Sequence, residues 1–170
     1  MDINELFNQF TLFDPAKGQR ADLPAVEGNY IVMLKTGCNI PDVLGNFKYT
    51  EVSLHGVDYR VLYTGVASNL KSRIWTNHLH GSNSTLRKTL GSLFGYQKIA
   101  RDKNYQINKK TKFGAEDENS LTAWMERNLL FAYLANDKRN ELESFLIDSL
   151  LPPLNVEGSK AATLKRVHEL

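Results

Sequence analysis

Residues 57–74 read Val57-Asp58-Tyr59-Arg60-Val61-Leu62-Tyr63-Thr64-Gly65-Val66-Ala67-Ser68-Asn69-Leu70-Lys71-Ser72-Arg73-Ile74. The run over 57–64 is rich in β-formers, and Gly65 closes it. Ser68 is placed to cap a helix running from Asn69 to His80, with Gly81 as its stop. A strand therefore feeds a helix across a short turn. Upstream, His55-Gly56 is a hairpin turn signal joining this strand to a second β-like run over 47–54. Further upstream, Tyr30-Ile31-Val32-Met33-Leu34 is another strand, bounded by Gly28 and Gly37.

Downstream, Ser84 caps a helix containing Leu86, Leu90 and Leu93. Residues 96–120 are polar and basic, then acidic, and read as an insertion or long loop. Residues 121–127 read as a short helix and 129–135 as a buried strand. Asp137 can cap a long helix through Leu150, which Pro152-Pro153 stops. At the front, Leu6, Phe7 and Phe10 recur at helical spacing within an N-terminal extension over 1–27, and Asp14-Pro15 ends that helix. Residues 156–170 form a charged C-terminal tail. The pattern is that of an α+β domain, a small, mainly antiparallel sheet flanked by helices.

The chain has 170 residues, 24% charged and 42% hydrophobic, which suits one globular domain with a real core. The longest apolar run covers 129–135, well short of the roughly 20 residues that span a bilayer, so no membrane partner is expected. Asp2 and Glu5 stand where a signal peptide carries positive charge, and Cys38 is the single cysteine. The expectation is a cytoplasmic protein with neither a disulfide framework nor a cysteine-based zinc cluster.

Charge is unevenly spread. Lys plus Arg total 21 against 19 Asp plus Glu, a net +2. Residues 71–112 hold ten basic residues and one acid, +9, which leaves −7 for the rest. The basic residues are Lys71, Arg73, Arg87, Lys88, Lys98, Arg101, Lys103, Lys109, Lys110 and Lys112. Such a stretch is either a solvated lysine-rich surface or a seat for a polyanion. Tyr96, Gln97, Tyr105, Gln106 and Asn108 interleave it, and these side chains bond phosphates or stack on bases.

Four residues sit oddly for a simple core. In the last helix, Leu142, Phe145, Leu146 and Leu150 form the apolar stripe, and Glu143 lies on its edge. A buried carboxylate needs a cation, a metal or an ion pair. Arg73 borders the Leu70/Ile74 stripe of the earlier helix, either snorkelling to solvent or holding a phosphate in its planar fork. Tyr30 and Tyr63 lie near the start of one strand and the end of another. They are either core tyrosines or hydroxyls meeting in a cleft.

Together these residues resemble the GIY-YIG nuclease family. Gly28-Asn29-Tyr30 matches its first half-motif and Tyr63-Thr64-Gly65 its second. Ser68-Asn69-Leu70-Lys71-Ser72-Arg73-Ile74 matches its arginine helix, with Arg73 ten residues after Tyr63. Leu142-Glu143, Leu146-Ile147 and Pro152-Pro153-Leu154-Asn155 match its glutamate segment, with Asn155 twelve after Glu143. The match covers 28–155, with insertions at 35–58 and 82–120. Asn29 and Thr64 replace isoleucines, at positions that serve strand packing. The family often has His or Tyr four residues after the arginine; here that residue is Asn77, and His78 follows at five, rotated by about 100° on an α-helix.

The resemblance implies a DNA endonuclease. Glu143 would hold one divalent cation, Mg²⁺ or Mn²⁺, since magnesium takes one or two carboxylates and keeps several waters. Arg73 would bind the phosphate, and Tyr63 or Tyr30 would act as general base, the other positioning. Asn155 would hold the glutamate helix and site loop. His78 would be either an auxiliary proton carrier or a cation at a helix C-terminus. Substrate recognition would fall to the two insertions and the N-terminal extension, or to a homodimer or partner protein. The rival functions are a non-catalytic nucleic-acid-binding module on the same fold, and a structural or protein-interaction domain.

Overall fold

The computed structural model describes residues 2–155 except 43, 44 and 46. The charged tail over 156–170 lies outside the described residues. At the centre is a five-stranded antiparallel sheet. Its strands are β1 (Thr11–Phe13), β2 (Gly28–Leu34), β3 (Glu51–Leu54), β4 (Val57–Ala67) and a last strand over Leu129–Ala135, in the order β1, last strand, β2, β4, β3. β2 lies in the middle and all seven of its residues are buried. A strand covered on both faces carries a continuous apolar run, as Tyr30-Ile31-Val32-Met33-Leu34 does.

Both faces are covered by helices. On one, Tyr30, Val32, Leu62 and Phe131 pack against a helix over Ser72–Leu79, α2 (Thr85–Leu93) and a long helix over Ala115–Asn128. On the other, Ile31, Met33, Val61 and Ala132 pack against α1 (Ile3–Asn8) and the C-terminal helix over Arg139–Leu150. Each large apolar side chain so buried contributes about 2 kcal/mol.

The expected turn between β3 and β4 is present: His55 and Gly56 both have positive φ, 51° and 84°, the backbone of a two-residue hairpin turn. Ser84 caps α2 as expected, its side chain accepting the N–H of Arg87.

Elsewhere the structure corrects the sequence. Residues 1–27 hold more than a helix: Thr11–Phe13 pairs with the last strand as a sheet edge, and Phe7 and Phe10 enter the second core. A three-residue strand carries too little pattern to show its partner. The polar stretch over 96–120 is not a loop. It contains a hairpin of β5 (Lys98–Ala100) and β6 (Thr111–Phe113), joined through the short α3 (Tyr105–Asn108). The long helix α4 (Ala115–Asn128) follows and leads directly into β7 (Leu129–Ala135). Glu116, Asp117 and Glu118 form the first turn of α4, where carboxylates favour the helix dipole. The C-terminal helix α5 (Arg139–Leu150) starts one residue later than expected, with Lys138 rather than Asp137 at its cap. Phe145, read as part of its buried stripe, is exposed.

The helix after β4 departs most from expectation. Over Ser72–Leu79 it is a π-helix. Asn69 rather than Ser68 supplies its capping acceptor, taking the N–H of Ser72 at 3.1 Å.

Candidate active site

Tyr30 on β2 lies directly across from Gly65 on β4. Any Cβ at Gly65 would collide with the Tyr30 hydroxyl and ring. Glycine here clears the space in which Tyr30 lies. Tyr63, two residues earlier, projects from the same face of β4. Its ring lies 6.2 Å from that of Tyr30.

His78 completes the cluster. Its ring is 5.2 Å from Tyr30 and 5.9 Å from Tyr63, and its Nε2 is 2.6 Å from the Tyr30 hydroxyl. The π-helix is the reason. Its backbone bonds run to the fifth residue rather than the fourth, so the residue five after Arg73 comes round to the face that a fourth residue occupies in an α-helix. His78 is buried accordingly, and Asn77 is exposed. Burial pushes the His78 pKa down to about 3, and the charges of Arg73 and Arg87 add to that. The imidazole is neutral at ordinary pH, which removes the expectation of a cation favoured by a helix C-terminus.

Arg73 is exposed on the π-helix, and its charge reaches both Tyr30 and His78. Glu143 is half-buried on α5, and its charge also acts on Tyr30. Burial first, then Tyr63, raises the Tyr30 pKa well above that of an ordinary tyrosine; Arg73 opposes and Glu143 reinforces the shift. The Tyr30 hydroxyl therefore keeps its proton. Tyr63 is half-buried, with more access to a substrate.

Asn155 extends the sheet with its side chain. Its Oδ1 accepts the N–H of Thr64 at 3.0 Å and its Nδ2 donates to the Thr64 carbonyl at 2.8 Å. Leu154 donates its own N–H to Leu62 at 3.0 Å. The segment after α5 thus holds β4 beside Tyr63, where β3 has already ended.

The two departures from the family motif are more than strand packing. Thr64 is buried and donates its hydroxyl to the Tyr30 carbonyl at 3.0 Å. Asn29 is buried and donates to the Arg139 carbonyl at 2.7 Å, while its Oδ1 accepts from Asn136 at 3.0 Å. Arg139 also pairs with Glu27. Asn29 so anchors the start of the helix that carries Glu143. Ser84 was also unforeseen at the site; its Oγ lies 2.6 Å from Nδ1 of His78. A polar residue inside an apolar strand was the available signal for Asn29 and Thr64. Ser84 had none beyond its helix cap.

Among the described residues no three His, Cys, Asp or Glu side chains group as a metal site. A site that offers one carboxylate ligand suits magnesium or manganese, which retain their own waters, and not a structural zinc. Glu143 is the carboxylate that would serve there.

The basic residues divide. Arg87 is not a surface cation: it is 1% exposed and paired with Glu118 at 3.0 Å. It is therefore no seat for a polyanion, contrary to the expectation from charge alone, because its guanidinium lies inside the protein. Lys88 has its pKa lowered by partial burial and by Arg101, Lys110 and Lys98, so these four cations share one patch where α2 meets the β5–β6 hairpin. Arg101 is partly occupied by Asn83 and Asp102. Lys103 and Lys109 are exposed, with Lys109 lying 5.3 Å over the Tyr105 ring. Lys112 is half-exposed on β6, and Lys71 is half-exposed just before the π-helix. Among the described residues no helix is long and apolar enough to cross a membrane.

A family model for the GIY-YIG catalytic domain matches residues 28–170. No curated protein and no solved structure matches the chain. That match covers most of the chain, and the sheet beneath it is a five-stranded antiparallel one flanked by helices. The chain belongs to the GIY-YIG nuclease family.

Proposed function

We propose that the protein is a divalent-metal-dependent endonuclease that hydrolyses phosphodiester bonds in DNA. The observation that carries this reading is the convergence of Tyr30, Tyr63 and His78 into one ring cluster on which the charges of Arg73 and Glu143 act. Tyr63 takes the proton of the attacking water, being the more accessible tyrosine. Tyr30 stays protonated and donates one hydrogen bond. Arg73 holds the non-bridging phosphate oxygens in its planar fork. Glu143 would hold Mg²⁺ or Mn²⁺, which neutralises charge on the phosphate and assists the leaving oxygen when bound. Asn155 keeps β4, and with it Tyr63, in register.

Supercoiled plasmid is the substrate for the decisive test. Nicking or linearisation is expected with Mg²⁺ or Mn²⁺ and is absent in excess chelator. A protein that cuts no plasmid, linear duplex or branched DNA under either metal refutes the proposal.

The basic patch is proposed as the backbone-binding surface. Changing Lys98, Arg101 and Lys110 together to Gln should weaken DNA binding. The slope of log affinity against log salt should fall by about 0.9 for each phosphate that is no longer neutralised. Fluorescence anisotropy with a labelled duplex reads both. An unchanged slope would take the hairpin out of the DNA path.

A further inference from the structure

Tyr30, His78 and Ser84 form an unbroken buried line, with 2.6 Å between Tyr30 Oη and His78 Nε2 and 2.6 Å between His78 Nδ1 and Ser84 Oγ. One end of this line is tied to a helix. As the cap of α2, Ser84 Oγ accepts the backbone N–H of Arg87 at 3.2 Å. The hydroxyl also carries one proton, which a buried site requires it to donate. Among the described residues the acceptor within reach is His78 Nδ1. In the opposite arrangement, Nδ1–H would donate to an oxygen that already accepts from Arg87, and the serine proton would have no acceptor.

The rest of the line follows. A neutral imidazole has one N–H, and with Nδ1 accepting it sits on Nε2. Nε2–H then donates to Tyr30 Oη. The Tyr30 hydroxyl, occupied as an acceptor, is left to donate, and Tyr63, its ring 6.2 Å away, is the hydroxyl-bearing side chain beside it. We propose that Ser84 is a positioning residue for the reaction: by capping α2 it sets the Nε2–H tautomer of His78, and so aims a chain of donors, through His78 and Tyr30, at the phenolic oxygen of Tyr63. A donor held there favours the anionic form of Tyr63 over the neutral one. The same chain separates the two tyrosines, making Tyr30 a donor and Tyr63 a base.

The catalytic part of this inference rests on the nuclease reading, whereas the tautomer does not, and the two are measured separately. Long-range ¹H–¹⁵N correlation spectra of the labelled protein, without DNA or metal, report the protonated nitrogen of His78. Wild type should show Nε2–H. Ser84→Thr keeps the hydroxyl and the cap and should keep that tautomer. Ser84→Gly is tolerated at a helix cap but supplies no donor, and the tautomer preference should be lost. In cleavage assays Ser84→Gly should lower kcat about tenfold with KM unchanged, and Ser84→Thr should stay within about twofold of wild type. A wild-type Nδ1–H tautomer overturns the proposal, as does a Ser84→Gly protein that keeps both tautomer and kcat. If the tautomer is as assigned and wild type cuts no DNA, the donor chain stands and the nuclease reading falls.

Discussion

Tyr63→Phe lowers plasmid nicking by about 100-fold or more, while the melting temperature barely moves. The magnitude is that of a lost general base, which contributes roughly 10²–10⁴ to rate. The small effect on stability follows from the half-buried position of Tyr63: the ring stays packed against Tyr30 and His78, and water entering from the open side replaces the acceptor that the Tyr30 hydroxyl loses. Tyr30→Phe should behave differently. Its hydroxyl is fully buried and bonded to His78, so its loss strands a polar nitrogen and costs stability as well as rate. Glu143→Ala should match Tyr63→Phe in lost activity and should not recover when Mg²⁺ is raised, because the side chain that would hold the cation is gone. Single-turnover rates of supercoiled-to-nicked conversion, read beside thermal melts, separate the three variants. Tyr63→Phe retaining more than about a tenth of wild-type rate would move the base to another residue. Glu143→Ala cleaving like wild type would remove the metal assignment.

Most of the architecture was legible in the sequence because the strands carry dense local signals. Tyr30-Ile31-Val32-Met33-Leu34 is rich in β-formers, and His55-Gly56 has the residues a tight hairpin turn demands. Tyr30, Tyr63 and His78 are 33 and 15 residues apart along the chain, yet meet because β2 pairs with β4 and β4 runs into the π-helix. What was illegible depends on tertiary context. The π-helix is the clearest case. Nothing in Ser72-Arg73-Ile74-Trp75-Thr76-Asn77-His78-Leu79 distinguishes π from α winding, yet the winding puts His78 and not Asn77 beside Tyr30. The hairpin over 98–113 was hidden for another reason. Its strands have three residues each and carry lysines, so they have little apolar alternation to show. Arg87 misled because charge along a sequence carries no information about burial.

Arg87→Met should be the most destabilising single change among the basic residues, lowering the melting temperature by about 10 °C or more. Arg87 reaches from α2 to two other elements at once. One terminal nitrogen donates to the carbonyls of His78 and Leu79 at 3.1 and 2.7 Å and to the Thr122 hydroxyl at 3.0 Å. The other donates to the carbonyl and carboxylate of Glu118 at 2.9 and 3.0 Å. The carbonyls at the end of the π-helix lack onward helical partners, and the guanidinium supplies them. Methionine fills similar volume but offers no donor, so the His78 carbonyl and the Glu118 carboxylate lose this partner and the Leu79 carbonyl keeps only the Thr122 hydroxyl. Breaking a buried pair from one side costs about 3–5 kcal/mol, a large share of the roughly 5–15 kcal/mol that holds a domain folded. Arg87→Lys should recover only part of this, since one ammonium cannot span the carbonyls and the carboxylate together. Because Arg87 bonds the His78 carbonyl, cleavage should fall along with stability. A phosphate-binding arginine behaves in the opposite way: its loss leaves the melt intact and lowers the salt dependence of DNA binding by the share of about one phosphate. Thermal melts and DNA titrations on Arg87→Met and Arg87→Gln therefore distinguish the two, and an unshifted melt with a reduced salt slope would return Arg87 to the DNA-binding surface.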